Sequence, residues 1–573
     1  MMQKSWISKQ SPEEELVKSL SNELTISPVL TRLLMQRGID TFNDAASFFR
    51  PNLSQLHNPL LMRDMERAIG RLQSALEEGQ KILVYGDYDV DGTTAVTVVY
   101  SFLKKLGANT EFYIPDRYEE GYGFSMKCVE WAAEVNFDLI ITLDCGIKDA
   151  EKIARANELG MDVIVCDHHT PGELPPAYAV LNPKRSDCEY PDKGLSGCGV
   201  GFKFLQGWCQ KFDPEKEEEL LTYLDLVTIA IGADIVPLMG ENRVLATFGL
   251  QRIAEHKRPG IKAMLQEAKF QKNEMTITDV VFILAPRINA AGRIFTGKQA
   301  VELLSAENDE EARKVSALVE ANNNERRKID KLITQEALQC VHQDPFYMDS
   351  FSTVVKSEGW HKGVVGIVAS RLVEEFYKPS IVLTETEGKL SGSARSIPGI
   401  DLYEVLGKCD DLLEQFGGHA MAAGLSMAPK HFDEFRVRFD AIIKEQLSNE
   451  RPKPYIEYDT EIKLCEITDR FFKHLSMFAP FGPENMKPVF LARNLQNAGN
   501  TRPVGENNAH LKLAVSEGEM RDKRMDGIGF DLGKWAEPIC QNVPIDILFT
   551  IEENIWQGQR SLQLNVKDIR LSN

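Results

Sequence analysis

Carboxylates and histidines at three points of the chain have the residue types and spacing of a cation site. They are Asp87, Asp89 and Asp91 in GDYDVDG, Asp144 in LDCG, and Asp167, His168 and His169 in DHH. Three carboxylates at alternate positions repel one another unless a cation lies between them. A mixed set of carboxylate and imidazole groups suits Mn²⁺ or Mg²⁺, with Mn²⁺ slightly favoured by the histidines. The residues therefore predict a divalent metal site.

Each of these residues also has an ordinary structural explanation. An Asp at a strand end is often a helix cap, and a single His is more often a hydrogen-bonded structural residue than a ligand. The DxDxDG spacing also matches an EF-hand loop, whose twelfth position is Glu, but that position is Val98 here. The preceding segment has the pattern of a strand, so calcium is rejected. The convergence of three such segments favours the metal site.

Apolar runs that alternate with helical stretches must position these side chains. The runs are KILVYGD, TEFYIPD, DLIITLDCG, DVIVCDHH and AVLNP. Continuous apolar runs between helices indicate a parallel sheet buried on both faces. Three runs end at Asp87, Asp144 and Asp167, and ligands of such sheets bind outside the carboxyl ends of the strands. We therefore expect the acids to meet at one edge of an α/β domain.

The remaining segments predict further domains on either side. We expect a helical N-terminal cap at 1–80, the parallel-sheet domain at 81–308, a connecting helix at 309–345, a second α/β domain at 346–450, and an all-β module at 454–573. The alternating pattern of the last segment predicts a small five-stranded barrel of the OB type. Its aromatic residues are candidates either for base stacking or for core packing: Phe471, Phe472, Phe478, Phe481 and Trp556.

Composition narrows the class of protein. The 573 residues are 43% hydrophobic and 26% charged, which is typical of a multidomain globular chain. No apolar run approaches a membrane span and no export signal is visible, so we expect a cytoplasmic protein. Ten cysteines without a CxxC pair argue against zinc or iron–sulfur sites, and no GxxxxGK[ST] motif supports an ATP-driven motor. The net charge of −19 confines any nucleic-acid site to a local cleft.

The order GDYDVDG, LDCG, DHH and GADIVPL resembles the four motifs of the DHH phosphoesterase superfamily. That resemblance implies a two-metal phosphodiesterase with ligands Asp89, Asp91, Asp144, His168 and Asp234, with Asp144 as a bridge. Asp87 is either a further ligand or an orienting neighbour. His169 is expected to polarise the scissile phosphate or to handle a proton, so His169, Asp144 and Asp89 are the implied catalytic residues. Two cations about 4 Å apart activate water, so no protein nucleophile is needed.

Further segments resemble the RecJ family within that superfamily. GGHAMAAG and SGSARS resemble its DHHA1 domain, and IPDRYEEGYG, APRINAAGR, EGWHKGVVGIVASRL and APFGPENMKPVF extend the likeness along the chain. The resemblance implies a 5′→3′ exonuclease that degrades single-stranded DNA to mononucleotides in repair and recombination. Its 5′-phosphate pocket would use Arg117, Arg287, Ser393 and Arg395, with Arg293 and His419 as further candidates. A monomer is expected, with a single-strand binding protein and a RecQ-type helicase as protein partners.

Two other functions remain open from the sequence. A nano-RNase or nucleotide bisphosphate phosphatase of the same superfamily would resemble only the two central domains, whereas this chain has additional segments at both ends. A non-catalytic replication scaffold would have lost metal ligands, whereas every implied ligand is present. Both alternatives are therefore less favoured than the exonuclease.

Overall fold

The computed structural model describes residues 4–572 apart from 118, 122, 273, 295–296 and 518–522. Its N-terminal segment contains one strand and four helices: β1 (Ser5–Ser8), α1 (Glu14–Leu24), α2 (Pro28–Met35), α3 (Phe42–Phe49) and α4 (Met65–Glu77). Side chains of α2 and α3, including Leu33 and Phe48, share a core with the C-terminal barrel. Helix α4 instead packs Ile69 and Leu72 into the core of the first α/β domain.

The first α/β domain is built on a sheet whose five strands are all parallel. They are β2 (Ile82–Gly86), β3 (Thr110–Tyr113), β4 (Leu139–Leu143), β5 (Asp162–Cys166) and β6 (Ala179–Leu181). Their order across the sheet is β3-β2-β4-β5-β6. Alternate residues of β2 enter two different cores, Ile82 and Val84 on one face and Leu83 and Tyr85 on the other. The predicted parallel sheet buried on both faces is confirmed.

Helices cover both faces of this sheet, and further helices follow them along the chain. They are α5 (Val90–Lys105), α6 (Met126–Glu134), α7 (Ala150–Glu158), α8 (Gly197–Phe212), α9 (Glu217–Leu220), α10 (Leu224–Ala233), α11 (Gly240–Ala254), α12 (Pro259–Glu267), α13 (Ile277–Asp279), α14 (Ala285–Ile294) and α15 (Lys298–Ser305). Helices α5, α8 and α10 pack on one face, and α6 and α7 pack on the other.

A single long helix, α16 (Asp309–Gln343), joins the two α/β domains. Its 35 residues span about 50 Å, as the predicted connecting helix should. Ion pairs attach it to both domains: Arg287 of α14 contacts Glu320 at 2.7 Å, and Arg371 of the second domain contacts Asp330 at 2.8 Å.

The second α/β domain contains a mixed sheet. Its elements are α17 (Phe346–Asp349), β7 (Thr353–Glu358), α18 (Val365–Phe376), β8 (Ser380–Thr386), β9 (Lys389–Arg395), α19 (Leu402–Gly407), β10 (Gln415–His419), β11 (Ala422–Met427) and α20 (Phe432–Gln446). The strand order is β10-β11-β9-β8-β7, and only β7 and β8 run parallel. The glycine-rich GGHAMAAG segment forms the β10–β11 hairpin.

The C-terminal module is a closed barrel. Its elements are β12 (Tyr455–Tyr458), β13 (Thr460–Glu461), α21 (Asp469–Ser476), β14 (Phe490–Asn497), β15 (Arg502–Val504), β16 (His510–Glu517), β17 (Met525–Gly529), α22 (Ala536–Cys540), β18 (Ile545–Trp556) and β19 (Gln559–Leu571). Pairing of β14 with both β18 and β16 closes the five strands β14-β18-β19-β17-β16, so the predicted barrel is confirmed. Phe471 and Phe478 are buried in its core, whereas Trp556 is 70% exposed.

One buried arginine ties the barrel module to the rest of the chain. Arg243 of α11 donates hydrogen bonds to the carbonyls of Phe48, Phe478 and Ala479, at 3.1, 2.8 and 2.8 Å. Its guanidinium also stacks on the Phe48 ring at 3.7 Å. Strand β1 adds a parallel pairing with β12, so the N-terminal strand joins the first strand of the C-terminal module. Among the described helices, none is both long and apolar enough to cross a membrane.

Candidate active site

Acidic side chains meet at the carboxyl edge of the parallel sheet. Asp87 follows β2, Asp144 follows β4 and Asp167 follows β5, and these three strands are neighbours. Asp144 has a left-handed backbone with φ of 59°, and it lies against Gly197, where an added Cβ would come within 2.5 Å of the Asp144 Cβ. A glycine is required there because any side chain would displace the aspartate.

Two helix N-termini hold the other carboxylates of the GDYDVDG segment. Asp89 caps α5, with its Oδ1 accepting the Gly92 N–H at 2.9 Å. Asp91 accepts the N–H groups of Gly197 and Cys198 at the start of α8, at 2.6 and 2.8 Å. Backbone donors and the positive end of a helix dipole stabilise a carboxylate in this position. The glycine-rich SGCGVGF segment therefore serves to fix Asp91.

His168 lies at the centre of the acidic cluster. Its Nε2 is 3.2 Å from Asp144 Oδ1, 3.4 Å from Asp234 Oδ2 and 3.8 Å from Asp91 Oδ2. Candidate ligand atoms of Asp91, His168 and Asp234 lie within 4.8 Å of one another, and so do those of Asp144, His168 and His169. The two groups share His168 and together bring the candidate ligand atoms of five side chains into one cluster: Asp91, Asp144, His168, His169 and Asp234.

Burial has the largest effect on the pKa values of the carboxyl groups in this cluster. It raises the pKa of Asp87, Asp91 and Asp144 well above the ordinary value, and the neighbouring carboxylates raise each one further. Burial, followed by the charge of Asp89, raises the pKa of Asp234 to about 7. Burial lowers the pKa of His168 to about 3, so its imidazole is neutral and available as a ligand at neutral pH.

Divalent cations fit this set of groups. Among the described residues, buried atoms Asp87 Oδ1, Asp144 Oδ1 and His168 Nε2 have no hydrogen-bond partner, although such atoms are normally satisfied. Carboxylate oxygens with an imidazole suit Mn²⁺ or Mg²⁺. The groups close enough together to hold a cation are those of Asp91, Asp144, His168, His169 and Asp234. Asp89 stays a predicted ligand. Bound there, the cations would activate water and neutralise charge on a phosphate.

Asp167 and His169 form a hydrogen-bonded pair beside the cluster. Asp167 accepts the backbone N–H groups of Ile147, His168 and His169, and its Oδ1 lies 2.7 Å from His169 Nδ1. Burial lowers the pKa of His169, but the hydrogen bond to Asp167 together with the charges of Asp167, Asp234 and Asp89 raises it overall. Asp167 therefore orients His169 and favours its protonated form. The sequence placed Asp167 among the acids at the strand ends but did not predict that it orients His169.

A cavity of about 430 Å³, here the arginine cavity, opens between the two α/β domains beside the cluster. Arg117 and Tyr88 line it from the first domain, and Lys362, Ser393 and Arg395 line it from the second. Arg395 Nη1 donates to Ser393 Oγ at 2.6 Å, and the Arg117 guanidinium stacks on the Tyr88 ring at 4.9 Å. Three cationic side chains in one cavity suit an anionic ligand such as a phosphate. The sequence did not predict Lys362 as a phosphate ligand, because nothing in the segment HKG distinguishes it from an ordinary surface lysine.

The other predicted phosphate ligands lie elsewhere. Arg287 does not line the arginine cavity, because its side chain is 6% exposed and paired with Glu320 on α16. The side chain of Arg293 lies outside the described residues. His419 is exposed at the end of β10 and, together with His169 and Lys148, lines a separate cavity of about 520 Å³, here the histidine cavity. The prediction that Arg287 grips phosphate therefore disagrees with its contacts.

Comparison with known proteins identifies the group to which the chain belongs. Three family models match it: "DHH family, N-terminal domain" over 81–231, "DHHA1 domain" over 349–445, and "RecJ OB domain" over 458–568. The single-stranded-DNA-specific exonuclease RecJ of Bacillus subtilis is 38% identical over 566 residues, which are 98% of this chain and 70% of that protein. The chain belongs to the RecJ family.

Solved structures of the RecJ family have the same architecture. RecJ of Thermus thermophilus in complex with Mn²⁺ matches with a TM-score of 0.84 and 27% identity, over 99% of this chain and 80% of that one. The same protein in complex with Mg²⁺ matches with a TM-score of 0.79 and 26% identity, over 99% and 79%. The expected fold, two α/β domains joined by a long helix and followed by an OB-type barrel, is confirmed.

The raised pKa of Asp234 predicts that cation binding to this RecJ-family site depends on pH. Near pH 6 the Asp234 carboxyl is mostly protonated because its pKa is about 7, and a cation binds the deprotonated form. Mn²⁺ affinity should therefore rise as the pH increases from about 5.5 to about 7, with release of protons. Calorimetric titration with Mn²⁺ in two buffers of different ionisation enthalpy measures both quantities. An affinity independent of pH in this range would contradict the prediction, and Asp234→Asn should reduce the number of protons released.

Proposed function

We propose that this chain removes mononucleotides from the 5′ end of single-stranded DNA, using two Mn²⁺ or Mg²⁺ ions. Membership of the RecJ family makes it a metal-dependent exonuclease, and its Bacillus subtilis relative is named for activity on single-stranded DNA. The position of the arginine cavity is the observation that supports cleavage from the 5′ end. It lies at the ends of β2 and β3, directly beside the acidic cluster at the ends of β2, β4 and β5.

A terminal phosphate bound in the arginine cavity would place the adjacent phosphodiester at the cluster. Anchoring a substrate by its end beside the reacting groups fixes which bond is cut. The cavity residues Arg117, Arg395 and Lys362 supply local positive charge in a chain whose net charge is −19. A strand can therefore bind locally even though the chain as a whole is acidic. His169, held by Asp167, is placed to polarise the phosphate or to transfer a proton.

The proposed activity also indicates the partners of the protein. Single-stranded DNA is the partner that the OB-type barrel and the arginine cavity suit. A single-strand binding protein and a RecQ-type helicase would present such strands, and the enzyme would act on them as a monomer in repair and recombination.

A time course on single-stranded DNA labelled at either end tests this proposal. With Mn²⁺ or Mg²⁺, a 3′-labelled strand should shorten progressively, whereas a 5′-labelled strand should release its label at once as a mononucleotide. Duplex DNA and RNA of the same sequence serve as comparison substrates, and EDTA should stop the reaction. Immediate release of the 3′ label would reverse the polarity. Cleavage confined to oligomers of a few nucleotides would instead support the nano-RNase alternative.

A further inference from the structure

The turn that follows β6 is held rigidly beside the active site. Asn182 Nδ2 donates to the backbone carbonyl of His169 at 2.9 Å, and Asn182 Oδ1 accepts the Lys184 N–H at 2.8 Å. Arg185, which is buried, donates to Asp64 Oδ2 at 2.7 Å and to the Val180 carbonyl at 2.6 Å. Residues on both sides of Lys184 are therefore fixed by hydrogen bonds, and one of these bonds reaches the backbone of the DHH motif.

Lys184 differs from its neighbours because its side chain is exposed. Across the part of the chain that the structure describes, no hydrogen bond or ion pair holds its ammonium group. Lys184 lies close to the cluster because Asn182, two residues before it, donates to the His169 carbonyl. An unpaired cation beside an acidic centre supplies local positive charge that attracts an anionic ligand.

Lys184 also lines a cavity of about 610 Å³, here the lysine cavity, and a smaller one of about 180 Å³. Val236 and Pro237, just beyond Asp234, form part of the wall of the lysine cavity, and so does Glu484 of the C-terminal segment. The other lysine of this cavity, Lys193, donates to the Cys188 carbonyl at 2.7 Å. Lys184 is thus the lysine of this cavity whose ammonium is available to a ligand.

The sheet order places Lys184 on the opposite side of the cluster from the arginine cavity. The strand order is β3-β2-β4-β5-β6. Arg117 follows β3 and Tyr88 follows β2, at one side of the sheet. The acidic cluster lies at the ends of β2, β4 and β5, and Lys184 follows β6 at the other side. Strands lie about 4.8 Å apart, so β6 is about 10 Å from β4. A strand that runs from the arginine cavity across the cluster and keeps its direction would reach the end of β6.

We propose that Lys184 binds the backbone phosphate that follows the scissile phosphate on its 3′ side. This inference rests on the proposed function, because it assumes that the 5′ end occupies the arginine cavity. It assigns a phosphate-binding position to the lysine cavity, and it directs the remaining strand toward the barrel module, which contributes Glu484. Lys184 would act as a positioning residue that holds the substrate across the cluster.

Substrates of two lengths isolate this contact. A 5′-phosphorylated dinucleotide contains the scissile phosphate and no phosphate beyond it, whereas a trinucleotide contains one more on the 3′ side. For Lys184→Ala, the ratio of kcat/KM for the trinucleotide to that for the dinucleotide should fall about tenfold relative to the unsubstituted enzyme, as expected for one charge-assisted phosphate contact. The dependence of log kcat/KM on log salt for the trinucleotide should also become shallower by about one unit.

Lys148 provides the matched control. It is an exposed lysine at the same edge of the sheet, but it lines the histidine cavity. Lys148→Ala should leave the trinucleotide-to-dinucleotide ratio at its original value, and Lys184→Arg should restore most of it. An unchanged ratio in Lys184→Ala, or a fall in Lys148→Ala alone, would overturn the proposal. If the unsubstituted enzyme does not release the 5′ nucleotide from the trinucleotide, the proposed function fails instead.

Discussion

Asp144→Asn should abolish hydrolysis of single-stranded DNA while the protein remains folded. The Asp144 carboxylate is buried and lies 3.2 Å from His168, at the centre of the groups that would hold the cations. Cation catalysis supplies several kcal/mol of transition-state stabilisation, and about 4 kcal/mol corresponds to a rate factor of about 10³. We therefore expect kcat to fall by at least about 10³-fold at saturating Mn²⁺, measured as release of mononucleotides.

The same substitution should stabilise the metal-free protein at neutral pH. Burial raises the pKa of Asp144, and neighbouring carboxylates raise it further. A carboxyl whose pKa is raised by folding destabilises the fold as the pH rises above its unfolded-state value, and this cost disappears at lower pH. In EDTA, Asp144→Asn should therefore have a higher Tm than the unsubstituted protein at pH 8, and the difference should shrink toward pH 4.

Asp225 supplies a control with the opposite expectation. It is also buried, but it is paired with Arg258 at 2.7 Å. Asp225→Asn would leave the Arg258 charge buried with a weaker partner, so it should lower Tm while hydrolysis continues. A fall in kcat for Asp144→Asn that is much smaller than about 10³-fold, or a lower Tm in EDTA at pH 8, would contradict the assignment of Asp144 to the cation site.

Arg395→Ala should reduce the preference for a 5′-phosphorylated end. Arg395 lines the arginine cavity and its guanidinium contacts Ser393 Oγ at 2.6 Å. A charge-assisted hydrogen bond to phosphate contributes about 1.5 to 3 kcal/mol. The ratio of kcat/KM for 5′-phosphorylated to 5′-hydroxyl single strands should therefore fall about 10- to 100-fold. Steady-state kinetics on the two substrates, with kcat changing less than KM, would measure this effect.

An arginine of the same domain outside the cavity provides the comparison. Arg438 of α20 forms surface ion pairs with Asp411 and Glu434. Such pairs contribute little to stability, so Arg438→Ala should retain the original phosphate preference. An equal ratio in Arg395→Ala and in the unsubstituted enzyme would remove Arg395 from the phosphate site.

The acidic cluster could be predicted because its information is local. Each of Asp87, Asp144 and Asp167 follows an apolar run, and the run pattern alone indicates parallel strands whose ends meet. The barrel was predictable for a similar reason, since alternating segments such as β16, β18 and β19 have the period of strands. Local patterns therefore predicted both the candidate metal site and the C-terminal barrel.

Contacts between distant segments could not be predicted in this way. Nothing in the N-terminal sequence shows that Ser5–Ser8 pairs with Tyr455–Tyr458, or that Phe48 packs against Phe478. Arg287 has the residue type of a phosphate ligand, and only the position of Glu320 on α16 shows that its charge is already paired. Lys184, by contrast, has no distinguishing feature in the sequence. Its proposed role in phosphate binding depends on the position of the end of β6 beside the cluster, which the sequence does not show.

Anomalous scattering at the manganese edge tests the central claim most directly. Crystals grown with Mn²⁺ and a non-hydrolysable 5′-phosphorylated trinucleotide should show two adjacent peaks enclosed by Asp89, Asp91, Asp144, His168 and Asp234. The 5′-phosphate should lie in the arginine cavity. No peak among these side chains, or manganese bound only elsewhere, would contradict the assignment of the metal centre to the carboxyl edge of the parallel sheet.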